Sequence, residues 1–285
     1  MARLIPNPIL HLNAARAAGG TGAGSNTVPT SEFYDLSGNG NHGTLTNFGY
    51  EAGDRPRTNV ETDKALWHDQ SGLGNDGTLT GFGFTEASGW ATTPDRLVFD
   101  GTDYVVLPDL SAAEGAFTYE ALCRHTVSAS ALRMVSEGDS AGAAYAELRA
   151  HYANARFAVG NDAAGAVGVN SVSTINTGSD VHAVGTYDLS DLRVYIDGLL
   201  DITPTAGPGG TVTLNVATLG RQSDVAAGFY QGGLLVARVY TRCLSAAEIA
   251  WNYEQGATGT DYVRDGLVLD FNAARAVRPS GWVEL

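Results

Sequence analysis

The stretch "VHAVGTYDLSDLRVYIDGLLDI", Val181–Ile202, decides the fold. Its first part alternates in the manner of a half-buried strand, with successive side chains pointing to opposite faces. Asp197-Gly198 then stands between two apolar stretches. That pair tolerates the positive φ values of a type I′ turn, whose twist suits a tight antiparallel hairpin. The same period of two recurs in "YVVL" at 104–107, "FTYEALCRHT" at 117–126, "ALRMVSEG" at 131–138, "YAELRAHY" at 145–152, "RFAVG" at 156–160 and "TVTLNVATLG" at 211–220. Glycine, Asp, Asn and Ser separate these runs. Many short strands with regular turn signals predict an all-β sandwich or barrel.

One helix is legible, in "CLSAAEIAWNYE" at 243–254. Ser245 and Glu248 have the spacing of a capping box, and Leu244 with Ile249 that of a hydrophobic staple. The spacing explains Glu248 without a catalytic role.

Two repeats stand out. "DLSGNGNHGTLTNFGY" at 35–50 and "DQSGLGNDGTLTGFGF" at 69–84 share eleven of sixteen positions at an offset of 34 residues. "LHLNAARA" at 10–17 returns as "LDFNAARA" at 269–276. The second loop has no such strand before it: residues 51–66 are charged and carry Pro56, poor for a central strand. The expectation is that each loop packs with one terminal strand. The chain divides on this reading into an N-terminal extension with the first loop (1–66), a central all-β domain (67–257) and a C-terminal strand segment (258–285).

The net charge of −14 argues against a nucleic-acid backbone or an anionic membrane as partner. Lys64 is the only lysine beside sixteen arginines. Cys123 and Cys243 are too few and too far apart for a disulfide framework. The scattered histidines offer no zinc spacing.

The order of the motifs resembles the laminin-G-like, concanavalin A-like jelly rolls of bacterial and phage proteins. The residues that carry the likeness are "YDLSGNGNHGTL" at 34–45, "LVFDGTDYVVLP" at 97–108, "FTYEALCRH" at 117–125, "HAVGTYDLSDLRVYIDG" at 182–198, "LGR" at 219–221, "ARVYTRCLSAAEI" at 237–249 and "GLVLDFNAARA" at 266–276. Leu122 departs from the family's usual Trp. The resemblance implies a concanavalin A-like (laminin-G-like) jelly-roll sandwich with one short C-terminal helix and a repeated terminal strand.

Function is less constrained. The glucanases of this fold carry an E-x-D-x-(x)-E cluster on one strand face, which this sequence lacks. A non-enzymatic role is therefore expected. Asp35, Asn39 and Asn41 in the first loop, with Asp69 and Asn75 in the second, are candidate calcium ligands, and related domains often hold calcium in such loops. The second copy has Leu73 in place of Asn39 and adds Asp76. The same residue types also build corners in which Asp and Asn bond their own backbone, and both readings stand at this point. Trp67, Trp90, Tyr104, Tyr230 and Trp282 are candidate sugar-stacking aromatics by type. "MARLIPNPILHLNAARA" makes a poor export signal, which favours a phage virion structural protein assembled in the host cytoplasm. That would be a head decoration, spike or minor tail protein, partnered by capsid or tail protein and a homo-oligomer. The alternative is a bacterial carbohydrate-binding or adhesion module at the cell surface, partnered by a glycan.

Overall fold

The computed structural model of the chain describes residues 66–275, apart from short gaps at 86, 93–94, 111–114, 140–143, 162–163, 213 and 215, together with residues 32–33 and 43–44. The chain divides into two units, Met1–Lys64 and Ala65–Leu285. The second unit therefore includes the C-terminal strand set apart by the sequence reading.

Two antiparallel sheets form the second unit. In spatial order the eight-stranded sheet runs Gly165–Thr174, Asn154–Asn161, Ala144–His151, Leu132–Asp139, Ala217–Leu219, Tyr104–Leu107, Gly77–Thr80 and Leu66–Trp67. The other sheet has nine strands. Its main path runs Leu199–Leu200, Asp191–Ile196, Asp180–Tyr187, Phe117–Arg124, Gln231–Tyr240, Asp95–Asp100 and Gly89–Thr92. Thr205–Ala206 pairs with Asp191–Ile196, and Leu267–Asn272 with Gln231–Tyr240. The turn at Asp197 and Gly198 has φ values of 49° and 79°, as a type I′ hairpin requires. The Asp197 carboxylate also accepts the His182 amide at 2.9 Å.

Alternation builds the core between the sheets. Phe117, Tyr119, Ala121 and Cys123 face Ala146, Leu148, Ala150, Phe157 and Val159 in one buried cluster. Each fully buried large apolar side chain contributes ~1.5–3 kcal/mol. Cys123 is one of these buried residues, and burial pushes its thiol up to about 12. Gly185 is small because Phe157 crosses it: an added Cβ would lie 2.1 Å from that ring.

The helix Ala246–Gln255 has the expected capping box. Ser245 Oγ accepts from the Glu248 amide at 3.3 Å, and the Ser245 amide donates to Glu248 Oε2 at 2.8 Å. Leu244 and Ile249 are buried in a second cluster with Val184, Tyr195, Tyr240 and Tyr262 on the outer face of the nine-stranded sheet. A buried polar network adjoins it. Arg238 donates to Glu120 at 2.8 Å and to Asp270 at 2.9 Å. Asn252 Nδ2 donates to Glu120 at 2.7 Å, and the Tyr262 hydroxyl donates to Asp270. Burial opposes ionisation of Glu120, but Arg238 and His182 outweigh it and hold the carboxyl at about 2. The network ties the sheet, the helix and the C-terminal strand together.

The second loop folds onto that same strand. Trp67 stacks on Phe271 with ring centroids 4.8 Å apart. Gly77 leaves the room: a Cβ there would lie 2.8 Å from the Phe271 ring. The two copies of the motif also begin alike. Phe33 pairs with Gly43 in the first, and Trp67 with Gly77 in the second.

Candidate functional site

Alternation in Ala144–His151 sends Ala146, Leu148 and Ala150 into the core. Tyr145, Glu147, Arg149 and His151 therefore line the outer face of the eight-stranded sheet. Register sets their neighbours. Arg149 lies opposite Arg133 on one side and opposite Arg156 on the other. Three arginines thus form a row across three adjacent strands.

Glu147 holds two of them. Its Oε2 accepts from Arg133 Nε at 2.8 Å, and its Oε1 lies 2.7 Å from Arg149 Nη1. Its side chain is only 3% exposed, so these charge-assisted contacts form out of water. Arg133 Nη1 also donates to the Ala131 carbonyl at 2.8 Å. Arg156 lies over Gly168 of the next strand, where a Cβ would come within 2.4 Å of its guanidinium, and donates to Asn170 Oδ1 at 3.0 Å. Burial, and the charges of Arg133 and Arg156, lower the Arg149 pKa, with Glu147 opposing them. His151 is lowered by burial and then by Arg149 and Arg156.

The loop after Ala217–Leu219 rises beside this row. Ser223 Oγ donates to the Gly138 carbonyl at 2.5 Å, and Arg133 N donates to Gly228 O at 3.0 Å. Gly228 must lack a side chain, since a Cβ would stand 2.0 Å from Arg133 Nη1. Between loop and sheet lies a cavity of about 260 Å³. Arg133, Tyr145, Glu147 and Arg149 wall it from the sheet, and Gln222 and Asp224 from the loop. Gln222 Nε2 donates to Asp224 Oδ1 at 3.0 Å. On the same sheet Arg221 stacks over Tyr104, 3.9 Å from the ring centre.

The described residues singled out from sequence do not line this cavity. Trp67, Trp90 and Tyr230 are core residues: the strands Leu66–Trp67 and Gly89–Thr92 turn the two tryptophans inward, and Tyr230, just before Gln231–Tyr240, is fully buried. Of the described aromatic candidates Tyr104 alone reaches the outer face; Trp282 lies outside the described residues. Asp69 and Asn75 converge on the C-terminal strand. Asp69 Oδ1 accepts from the Ser71 and Asp270 amides, both at 2.9 Å. Its Oδ2 accepts from Ser71 Oγ at 2.6 Å and the Asn75 amide at 3.0 Å. Asn75 Nδ2 donates to Val268 O at 2.7 Å. Four donors fill the four lone-pair sites of this carboxylate, so a cation would have to displace them. Asp35, Asn39 and Asn41 lie outside the described residues. Among the described residues no group of three or more His, Cys, Asp or Glu side chains stands where it could hold a metal ion.

The acidic side chains of the neighbouring strands are set apart. Ser136 pairs with Glu147, so Glu137 points to the opposite face. It lies in the core beside Tyr119, where burial pushes it up to about 8 despite the tyrosine hydroxyl. Glu137 and Glu147 therefore do not flank a common bond, as the paired carboxylates of glycoside hydrolysis must.

The period-two pattern of "YAELRAHY" contains the signal for this site. What it lacks is the neighbouring strands: nothing local says that Arg133 and Arg156 stand in line with Arg149.

Two facing antiparallel sheets in this order define a concanavalin A-like jelly roll. Residues 99–250 match the family described as the concanavalin A-like lectin/glucanases superfamily, and the chain belongs to it. Domain 4 of AbnA, an extracellular arabinanase of Geobacillus stearothermophilus solved with arabinotriose, is similar at 18% identity and a TM-score of 0.51; the match covers 67% of this chain and 93% of that one. The binding domain of botulinum neurotoxin DC, solved with rat synaptotagmin II, is similar at 10% identity and a TM-score of 0.50. That match covers 70% of this chain and 52% of the toxin chain, about half its length. At these identities the likeness is one of fold. No curated protein matches the sequence.

Proposed function

We propose that this chain is a non-catalytic carbohydrate-binding module whose ligand lies on the outer face of the eight-stranded sheet. The observation that carries the reading is the cavity beside Glu147. Its volume, about 260 Å³, is slightly below the ~300 Å³ where small-molecule pockets begin, a size for a sugar unit or two. Its walls are polar side chains with fixed donors and acceptors, the groups that orient sugar hydroxyls. Tyr145 adds an aromatic body with a polar tip. Glu147 is held in place before any ligand arrives, which lowers the ordering cost of binding.

The family's description and the arabinotriose complex of a similar fold support this assignment over the virion role that the poor export signal first favoured. The test is an array of plant, bacterial and animal glycans probed with the purified chain. The expected result is retention on at least one glycan class, lost in Tyr145→Ala with little change in melting temperature. A folded chain that binds nothing on the array, or Tyr145→Ala binding like wild type, would contradict the proposal.

A further inference from the structure

The row Arg133–Arg149–Arg156 is out of balance. Like charges directly opposite one another across strands destabilise a sheet unless a counter-charge is supplied. Glu147 supplies one carboxylate, and both its oxygens are committed, one to Arg133 and one to Arg149. Asp224 is a second carboxylate at the cavity, but it stands on the loop beyond Leu132–Asp139 and is engaged by Gln222. Arg156 lies on the other side, one strand past Arg149, and its bond there is to a neutral amide. Among the described residues the remaining titratable neighbours are Tyr145 and His151, and neither brings a negative charge at neutral pH.

Two donors point to what is missing. Arg149 Nε and Arg156 Nε are both buried without a hydrogen-bond partner, as is Nδ1 of His151. An unmet buried donor next to a charge is costly. The surplus is local: the protein as a whole carries −14, so this is not part of a general basic surface.

We infer that the ligand of this face is an acidic glycan, and that the carboxylate of a sugar acid is received between Arg149 and Arg156 while a neighbouring sugar occupies the cavity beside Glu147. The inference rests on the carbohydrate-binding reading and adds the ligand's charge. The planar guanidinium of arginine donates charge-assisted hydrogen bonds that suit a carboxylate. Arg156 is kept flat for this by the bare backbone of Gly168.

The experiment is calorimetric titration of the full chain with three series of oligosaccharides: uronic-acid and sialylated ones, the same compounds with the carboxyl esterified, and sulfated neutral ones. Carboxylated ligands should bind, weaken as salt rises, and lose about ten- to hundredfold on esterification. Arg156→Gln should cost a similar factor for the acid and little for the ester, with a melting temperature no lower than that of the wild type. Equal binding of acid and ester would overturn the acidic assignment while leaving the module a carbohydrate binder. Preference for sulfated over carboxylated ligands would overturn the carboxylate. Binding of none of the three series, together with no retention on the glycan array, would overturn both readings.

Discussion

Glu137 and Glu147 belong to paired strands, yet they meet opposite fates because adjacent positions on a strand face opposite ways. Glu147 reaches the outer face and finds two arginines. Glu137 enters the core, where burial raises it to about 8 from an ordinary 4.5. The folded state thus holds a proton that the unfolded chain releases. Glu137's contribution to stability is complete below about pH 4.5 and declines as pH rises toward about 8, by at most ~1.4 kcal/mol per pH unit. Glu137→Gln should flatten the fall in stability between pH 5 and 8, read from denaturant melts across that range; an unchanged slope would mean that Glu137 is ionised in the fold. Asp69 makes a second case. Its four accepted hydrogen bonds close the 69–75 loop onto the strand at 270. Asp69→Ala should cost ~2–3 kcal/mol, and a melting temperature equal to wild type would show that the corner holds without it. The sequence pattern allowed Asp69 either a corner or a cation. The contact that closes the corner, from the Asp270 amide 201 positions away, is not local.

Among the elements, the C-terminal strand answers the second half of the repeat; the strand expected for the first loop, at 10–17, lies outside the described residues. Leu267–Asn272 supplies the strand that the second loop lacks before it. It pairs with Gln231–Tyr240, sends Phe271 beneath Trp67 and sets Asp270 against Arg238. Removing residues 264–285 would open the core at Trp67 and leave Arg238 with one buried carboxylate fewer. Breaking a buried pair alone costs ~3–5 kcal/mol. The truncated chain should therefore melt far lower or fail to fold, and Phe271→Ala should lose ~3–5 kcal/mol by cavity formation. Truncation without effect on thermal or denaturant melts would refute this role. The helix and the Asp197-Gly198 hairpin were readable because each is specified within a dozen residues. The arginine row was not: alternation put Arg149 on a face, but only strand register could bring Arg133 and Arg156 beside it. The aromatic candidates went astray for a related reason. Residue type gives no direction, and the backbone turns Trp67, Trp90 and Tyr230 inward.

At the scale of the molecule, the motifs that identify the fold and the residues proposed to bind a ligand are different sets. Trp67, Gly77, the Asp69 corner, the Asp197 turn and the Ser245 cap all serve the architecture. The outer sheet face is left to Arg133, Tyr145, Glu147, Arg149 and Arg156, none of which any of those motifs contains. A family motif therefore predicts the jelly roll well and its ligand poorly. The face lies wholly within the unit Ala65–Leu285, so a fragment starting at residue 65 should bind glycan as the whole chain does. The most direct test of the central claim is to follow backbone amide shifts by NMR while the chain is titrated with a glycan it retains. The account predicts that the shifts concentrate on strands 132–139, 144–151 and 154–161 and on the loop 221–229. Shifts confined to the helix 246–255 and the nine-stranded sheet would place the ligand elsewhere and contradict it.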